Sequence, residues 1–177
     1  ATCQPFSCGN ADLDDFFHND AERYAAELMG KTYCWITEQK PHRIVALFTL
    51  ANDSIKTLHL DKTTRNRLNR PIDNPKRGRS YPATLIGRIG VNQEFQGMNV
   101  GSQLVQFIKD WFRHEDNKTG CRFLVVDAYN NPRTLHFYER NDFRFLHTDE
   151  VEERAYYDIP CEETIATRLM YFDLKKA

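Results

Sequence analysis

The segment of residues 83–128 most constrains the fold, because two strand patterns in it flank one helix pattern. Residues 83–91 and 122–128 are apolar and β-branched, and the second run contains the continuous apolar stretch 124–126. Between them, apolar side chains recur at helical spacing over residues 100–114. A strand-helix-strand order predicts a parallel crossover, and the continuous apolar stretch predicts a strand covered on both faces. We therefore expect an α/β fold organised around this crossover.

The remaining segments predict further helices and a hairpin. Asn10, followed by acidic residues, is typical of a helix start, and Gly30 is placed to end that helix. Asn131 and Pro132 predict a second helix start as N-cap and first-turn proline. The additional helices are expected at 11–29, about 61–69 and 132–141, and the additional strands at 33–37, 44–50, 143–147 and 167–174, the first two of these strands forming a hairpin.

Length and composition indicate a single domain over residues 1–177. The chain has 24 basic and 25 acidic side chains, and this near balance argues against a general nucleic-acid coat. Its apolar runs are shorter than the roughly 20 residues that a membrane span needs. The five cysteines are odd in number and show no metal-ligand spacing, so we expect a reduced, cytoplasmic location and no metal.

Charge is nevertheless segregated along the chain. Residues 53–80 hold eight basic and three acidic side chains, a net charge of +5, and are predicted to be an insertion. Residues 149–163 hold seven acidic side chains and one basic side chain, a net charge of −6, and are predicted to be an acidic loop. Such runs are most often solvated faces, and each is also a candidate wall of a substrate site.

The first chemical motif lies where the strand of residues 83–91 leads through a turn into the helix of residues 100–114. A glycine-containing turn before a helix start directs backbone N–H groups outward, where they can bind a phosphate. The segment lacks the Gly-Lys-Ser/Thr ending of a P-loop and the strict dinucleotide spacing. Gly97 and Gly101 alone are also compatible with a plain tight turn.

The second motif lies in residues 126–143, and the two motifs together carry a family resemblance. The turn reads Gln96-Gly97-Met98-Asn99-Val100-Gly101-Ser102, and the later segment reads Asn131, then Phe137-Tyr138-Glu139-Arg140-Asn141-Asp142-Phe143. In this order and separation they resemble the acyl-CoA-binding core of the GNAT superfamily of N-acetyltransferases. The resemblance implies a mixed, mostly antiparallel sheet with a central parallel crossover and helices on both faces.

The N-terminal half resembles one branch of that superfamily, the acetyltransferase toxins of bacterial toxin-antitoxin modules. The similar segments are Phe6-Ser7-Cys8-Gly9-Asn10, Leu13-Asp14-Asp15-Phe16-Phe17, Leu47-Phe48-Thr49-Leu50 and Leu85-Ile86-Gly87-Arg88-Ile89-Gly90-Val91. Toxins of that branch acetylate the amino group of aminoacyl-tRNA, so the resemblance implies charged tRNA as acceptor and an antitoxin protein as partner. A protein N-terminus, a lysine or a small amine stays open as acceptor, as do a non-enzymatic acyl-CoA-binding module and a homodimer.

The resemblance also assigns roles to individual residues. Tyr138 corresponds to the tyrosine that acts as general acid toward the departing thiolate, and Asn131 is expected to cap its helix and is a candidate contact to the pantetheine arm. The backbone of Ile89 and Val91 is expected to pair with the pantetheine amides. The residues expected to bind acetyl-CoA, the co-substrate, are Ile89, Val91, Gln96, Gly97, Met98, Asn99, Val100, Gly101, Ser102 and Asn131.

Two residues depart from the family pattern, and no general base is evident. Asn99 and Asp142 stand where the family has glycine, and both residue types tolerate the left-handed backbone that glycine would supply. Glu94 is a candidate base acting through water, or else an exposed acidic residue of the turn. His136 lies on a different helix face from Tyr138 and is expected to be a surface or packing residue.

Overall fold

A six-stranded sheet forms the framework of the computed structural model, which describes residues 5–73, 77–117 and 119–176. The strand order is β1-β2-β3-β4-β6-β5, mostly antiparallel with one parallel pair. This confirms the predicted fold class. The strands are β1 Lys31–Ile36, β2 Ile44–Lys56, β3 Ser80–Val91, β4 Phe123–Tyr129, β5 Arg144–Phe145 and β6 Thr167–Asp173.

Helices fill most of the connections between the strands. They are α1 Ala11–Asp15, α2 Ala21–Ala26, α3 Lys62–Asn69, α4 Val100–Arg113, α5 Pro132–Arg140 and α6 Glu150–Tyr157. Helix α4 connects β3 to β4, as the strand-helix-strand pattern predicted. No helix within the described ranges is long and apolar enough to cross a membrane.

The predicted single helix over 11–29 is wrong in two respects. A π-helical turn, Phe16–Asp20, separates α1 from α2. The helix also ends earlier than expected, because α2 stops at Ala26 and Leu28 takes the left-handed φ of 58°. Gly30 has a steric role instead, since a Cβ there would lie 2.9 Å from the carbonyl oxygen of Leu50.

The chain divides into two compact units, each made from two stretches of sequence. The first unit comprises the described residues of Ala1–Asn52 and Leu85–Trp111. Within it β1 and β2 pair antiparallel from Lys31↔Leu50 to Ile36↔Ile44, which confirms the predicted hairpin. Helix α4 buries Leu104, Val105 and Ile108 completely. Each such side chain stabilises the fold by about 1.5–3 kcal/mol relative to exposure.

The second unit comprises the described residues of Asp53–Thr84 and Phe112–Ala177. Here β4 pairs antiparallel with β6 over its whole length, and β5 pairs with the opposite edge of β6. Leu124, Val125 and Val126 are at most 2% exposed, which confirms that this apolar stretch is covered on both faces.

Three predicted segments in the second unit differ from the structure. The insertion expected at 53–80 begins inside β2, which continues to Lys56, although the short helix expected within it is present as α3. The strand expected at 143–147 is reduced to the two residues of β5. The acidic loop contains α6, because Asp149 caps that helix by accepting a hydrogen bond from the Glu152 N–H and the acidic side chains of the first turn suit the helix dipole.

Candidate active site

The predicted phosphate-binding turn lies in the first unit, between β3 and α4. Asn92 fixes the end of β3, because its side-chain amide donates to the Ile44 carbonyl at 3.0 Å. A 3₁₀ turn, Gln93–Phe95, follows. Gly97 and Asn99 then take left-handed φ angles of 78° and 59°. The predicted tolerance of Asn99 for this conformation is confirmed, and the turn is exposed over residues 96–99.

The turn is held in place by the N-terminal segment of the chain. The Gln93 N–H donates to the Ser7 carbonyl at 2.9 Å. The Gln96 side chain donates to the carbonyls of Cys8 and Val91 at 2.8 and 3.0 Å. The Gln96 amide is therefore engaged within the chain, where it braces the turn from both sides.

A carboxylate in turn organises the N-terminal segment. Asp14 accepts hydrogen bonds from the Ser7 hydroxyl at 2.7 Å and from the Cys8 N–H at 2.8 Å. Burial acts to raise the pKa of Asp14, but these hydrogen bonds outweigh it and lower that pKa below its ordinary value. Gly9, with a left-handed φ of 79°, makes the bend in the chain between Cys8 and Asp14. The toxin-like motif at residues 6–17 is thus a support for the turn.

The end of β3 presents the two strand residues expected to pair with pantetheine. Ile89 and Val91 are half-buried, and Gly90 between them packs under the N-terminal segment. A Cβ at Gly90 would lie 3.1–3.3 Å from atoms of Phe6, Cys8 and Phe17, so glycine permits this close packing.

Tyr138 and Asn131 belong to the second unit, where Tyr138 lies on α5 and Asn131 is the N-cap residue before it. The Asn131 side chain accepts from the Thr134 N–H at 2.9 Å, which confirms its predicted capping role. Tyr138 is only 5% exposed, and the rings of Phe137 and Phe143 contact it edge-on. Its hydroxyl makes no hydrogen bond to any residue that the structure describes. Burial raises the pKa of Tyr138 far above its ordinary value of 10, so the hydroxyl is protonated at neutral pH.

The C-terminal end of α5 turns the chain back toward Tyr138. Asp142 takes a left-handed φ of 62°, which confirms that it can replace the family's glycine. The Phe143 N–H then donates to the Tyr138 carbonyl at 3.0 Å. The Asn141 side chain adds a bond to the Phe137 carbonyl at 2.8 Å. This turn brings the Phe143 ring against Tyr138, 5.4 Å between centroids.

The GNAT family model, described as acetyltransferase, matches residues 11–143 and so includes both motifs. The chain belongs to the GNAT acetyltransferase family. It is also 29% identical over 144 residues to a tRNA-acetylating toxin of Mycobacterium tuberculosis, covering 81% of this chain and 79% of that protein.

Solved structures of bacterial toxins share the fold of this GNAT protein. A mutant of KacT matches with a TM-score of 0.70 and 19% identity, covering 96% of this chain and 86% of that one. AtaT complexed with acetyl-methionyl-tRNAfMet matches with a TM-score of 0.70 and 18% identity, with the same coverage. AtaTR bound with acetyl-CoA matches with a TM-score of 0.70 and 17% identity, covering 98% and 87% of the two chains.

Glu94, the candidate base of this acetyltransferase, and His136 both lie on its surface. Glu94 forms an ion pair with Arg43 at 2.9 Å, and its side chain is 55% exposed. The Arg43 guanidinium also lies over the Phe95 ring. His136 is exposed whereas Tyr138 is buried, so the two side chains lie on different faces of α5, as expected. The paired Glu94 is thus an exposed ion-pair residue of the turn.

Most acidic groups at the start of α6 are engaged within the acetyltransferase. Glu153 is buried and bonds both the Arg168 guanidinium and the Leu169 N–H at 2.5 Å. Glu150 lies 3.5 Å from the same guanidinium, and Glu152 lies 3.3 Å from His147. Arg168 offsets one of these negative charges, and the bonds hold Glu150, Glu152 and Glu153 within the fold, which leaves fewer of the acidic side chains free to form a cation-attracting wall for a lysine or small amine.

One titratable residue near these groups was not singled out from the sequence. Asp127 lies on β4 directly opposite Leu169 of β6. Desolvation raises its pKa, and the negative charges of Asp53 and Glu153 raise it further. A single acidic residue inside the apolar run Val126-Asp127-Ala128 was the available sequence signal.

Proposed function

We propose that this GNAT protein transfers an acetyl group from acetyl-CoA to the amino group of aminoacyl-tRNA. The observation that carries the proposal is its similarity to a tRNA-acetylating toxin over 81% of the chain. The shared fold with AtaT complexes holding acetyl-methionyl-tRNA or acetyl-CoA supports it. Structures of AtaT with the antitoxin AtaR likewise support an antitoxin partner for this chain.

The family model also supports the predicted domain organisation. It spans residues 11–143 and takes in parts of both compact units. We therefore propose that residues 1–177 act as one acetyltransferase domain, with the basic segment 53–80 as an elaboration of it. Because aminoacyl-tRNA is used in the cytoplasm, the proposed acceptor places the protein there.

The turn before α4 has features that suit the pyrophosphate of acetyl-CoA. The first turn of a helix leaves backbone N–H groups without partners in the helix, and the helix dipole favours an anion there. Gly97 has no neighbouring atom within 4 Å of its Cβ position, so a ligand can approach the backbone. In the proposal, residues 96–102 bind the pyrophosphate, Gln96 by bracing the turn, while the backbone of Ile89 and Val91 and the Asn131 amide bind the pantetheine arm.

Acetyl transfer then needs a neutral amine and a proton donor. The amine nitrogen forms a bond to the acetyl carbon, the carbon-sulfur bond breaks, and Tyr138 gives its hydroxyl proton to the leaving thiolate. The nitrogen loses one proton as it becomes an amide, and a proton returned through solvent to the Tyr138 oxygen regenerates the hydroxyl, so the products are the acetylated amine and the free coenzyme A thiol. An α-amino group has an ordinary pKa of about 7.7–8.0, so roughly a tenth to a sixth of it is the free base at pH 7, far more than for a lysine amine with its pKa of about 10.4, and it needs less help from a protein base. The paired, exposed Glu94 is consistent with such an acceptor.

The test uses purified protein, charged tRNA and acetyl-CoA labelled in the acetyl group. We expect label on the aminoacyl group of charged tRNA, none with uncharged tRNA, and a loss of labelling in Tyr138→Phe. Expression should also slow growth of the host, and the same substitution should relieve that effect. Labelling of a small amine or peptide with none on charged tRNA would instead select a different acceptor.

A further inference from the structure

The outward face of α5 forms a basic groove with an aromatic floor. Arg133, His136, Phe137 and Arg140, together with Pro132, line a groove of about 560 Å³. These four side chains recur at i, i+3, i+4 and i+7, which is the spacing of one helix face. The lining contains no acidic side chain. Glu139, the neighbouring acid on α5, lines a separate cleft with Arg144 and Asp142.

The basic side chains of this groove are not engaged elsewhere in the part of the chain that the structure describes. Arg133, His136 and Arg140 are exposed, and none makes a hydrogen bond, ion pair or ring contact to a described residue. Two of the five arginines in the 53–80 segment differ in this respect. Arg67 donates to the backbone carbonyls of Phe145 and Leu146, and Arg77 donates to that of Ile72.

The spacing of the free charges suits a chain of phosphates. Seven residues separate Arg133 from Arg140, which corresponds to about 10 Å along a helix axis. Guanidinium groups bind phosphate oxygens with paired hydrogen bonds, and an aromatic ring between them offers a surface for a sugar or base. A nucleic-acid backbone presents a phosphate at every nucleotide, so one strand can meet both arginines.

We infer that the groove of Arg133, His136, Phe137 and Arg140 binds the phosphate backbone of the acceptor tRNA. The inference rests on the proposed function and names the surface on which the macromolecular part of that substrate lies. It makes α5 a helix with two roles, in which its buried face carries Tyr138 and its exposed face holds tRNA.

The test compares two double variants with the same change in charge. Arg133→Gln/Arg140→Gln removes the two arginines of the groove. Lys62→Gln/Arg70→Gln removes two exposed cations from the two ends of α3, Arg70 being its C-cap residue, also in the second unit. Binding of fluorescently labelled uncharged tRNA is measured against salt concentration, and thermal unfolding confirms that each variant is folded. Turnover of puromycin, an aminoacyl nucleoside without a tRNA body, reports the KM for acetyl-CoA separately.

The expected result is specific to the α5 variant. Its tRNA affinity should fall on the order of tenfold, and the slope of log affinity against log salt should decrease in magnitude by about 2. The α3 variant should bind within about twofold of the unsubstituted protein, and the KM for acetyl-CoA should be unchanged in both. Equal losses in both variants, or no loss in the α5 variant, would overturn the inference.

Two further outcomes separate this inference from the proposed function. A raised KM for acetyl-CoA with unchanged tRNA binding would assign the groove to a phosphate of coenzyme A and overturn the inference. Loss of tRNA binding in the α5 variant supports it, even where the unsubstituted protein fails to acetylate charged tRNA. In that case the acetylation assay contradicts the proposed function alone.

Discussion

At the scale of single residues, the burial of Tyr138 makes a prediction about pH. Burial raises the pKa of its hydroxyl above the ordinary 10, so the protonated form persists to higher pH than in a free tyrosine. Deprotonation of Tyr138 should therefore not lower the rate of puromycin acetylation at any pH below about 10. Tyr138→Phe should lower kcat by about 10²–10⁴-fold, since a positioned proton donor contributes that much.

The check on Tyr138 is a pH profile of kcat for both proteins. A decline centred below pH 10 in the unsubstituted enzyme, absent from Tyr138→Phe, would contradict the effect of burial. Tyr138→Phe should unfold at nearly the same temperature, because the hydroxyl has no hydrogen bond to a described residue.

Substitutions of Asn99 test whether the turn depends on a left-handed backbone at this position. Alanine in the left-handed region costs about 1–2 kcal/mol, whereas glycine adopts it freely. We expect Asn99→Ala to lower stability by about 1 kcal/mol and to raise the KM for acetyl-CoA, and Asn99→Gly to do neither. Thermal unfolding and acetyl-CoA titration measure both effects. Equal behaviour of the two variants would show that the φ of 59° does not constrain this position.

At the scale of elements, the helices and strands with long, regular apolar patterns were predicted correctly from the sequence. Helix α4 and strand β4 were placed to within one or two residues, because their apolar patterns are uninterrupted. The π-helical turn before α2 has no such signal, since its apolar residues still recur at nearly helical spacing. Helix α6 was missed because acidic density was interpreted as a loop although Asp149 is a good cap.

In the candidate site, too, features with a local sequence pattern were predictable and contacts between distant residues were not. Local motifs were enough to predict the turn, the cap at Asn131 and the left-handed residues. The brace from Gln96 to Cys8 joins residues 88 positions apart. Such a contact depends on the folded backbone, so no local pattern contains it, and the role of Gln96 within the chain became visible only in the structure.

The N-terminal support predicts a pH-dependent contribution to stability. Hydrogen bonds lower the pKa of Asp14, so its ionised form stabilises the folded state above the ordinary Asp pKa of 3.8, and this stabilisation is lost as pH falls through the lowered value. Asp14→Asn should therefore unfold at a lower temperature near pH 7 and lose most of that difference near pH 2. Because Ser7 and Cys8 hold the turn, the KM for acetyl-CoA should rise as well. A difference in unfolding temperature that is independent of pH would contradict the role of the ionised carboxylate.

At the scale of the whole molecule, the formal charge runs overstate the number of charged side chains that are free to meet a partner. The total of −1 combines +5 in residues 53–80 with −6 in residues 149–163. In the structure, Glu150 and Glu153 pair with Arg168, while Arg67 and Arg77 donate to backbone carbonyls. The free cations of the α5 groove lie outside both runs, so charge counting along the sequence could not identify them.

The free cations on α5 predict that added salt should weaken the binding of charged tRNA but not that of puromycin. Each phosphate contact adds about 0.7–0.9 to the slope of log affinity against log salt. The two contacts made by the α5 arginines should therefore raise the KM of the unsubstituted enzyme for charged tRNA about tenfold between 50 and 200 mM salt. Puromycin has no phosphate backbone, and its KM should change little over the same range. Measuring both acceptors with one enzyme preparation controls for effects of salt on acetyl-CoA binding. An equal rise for the two acceptors would place the salt sensitivity at the acetyl-CoA site or in the fold, and not at the surface that meets tRNA.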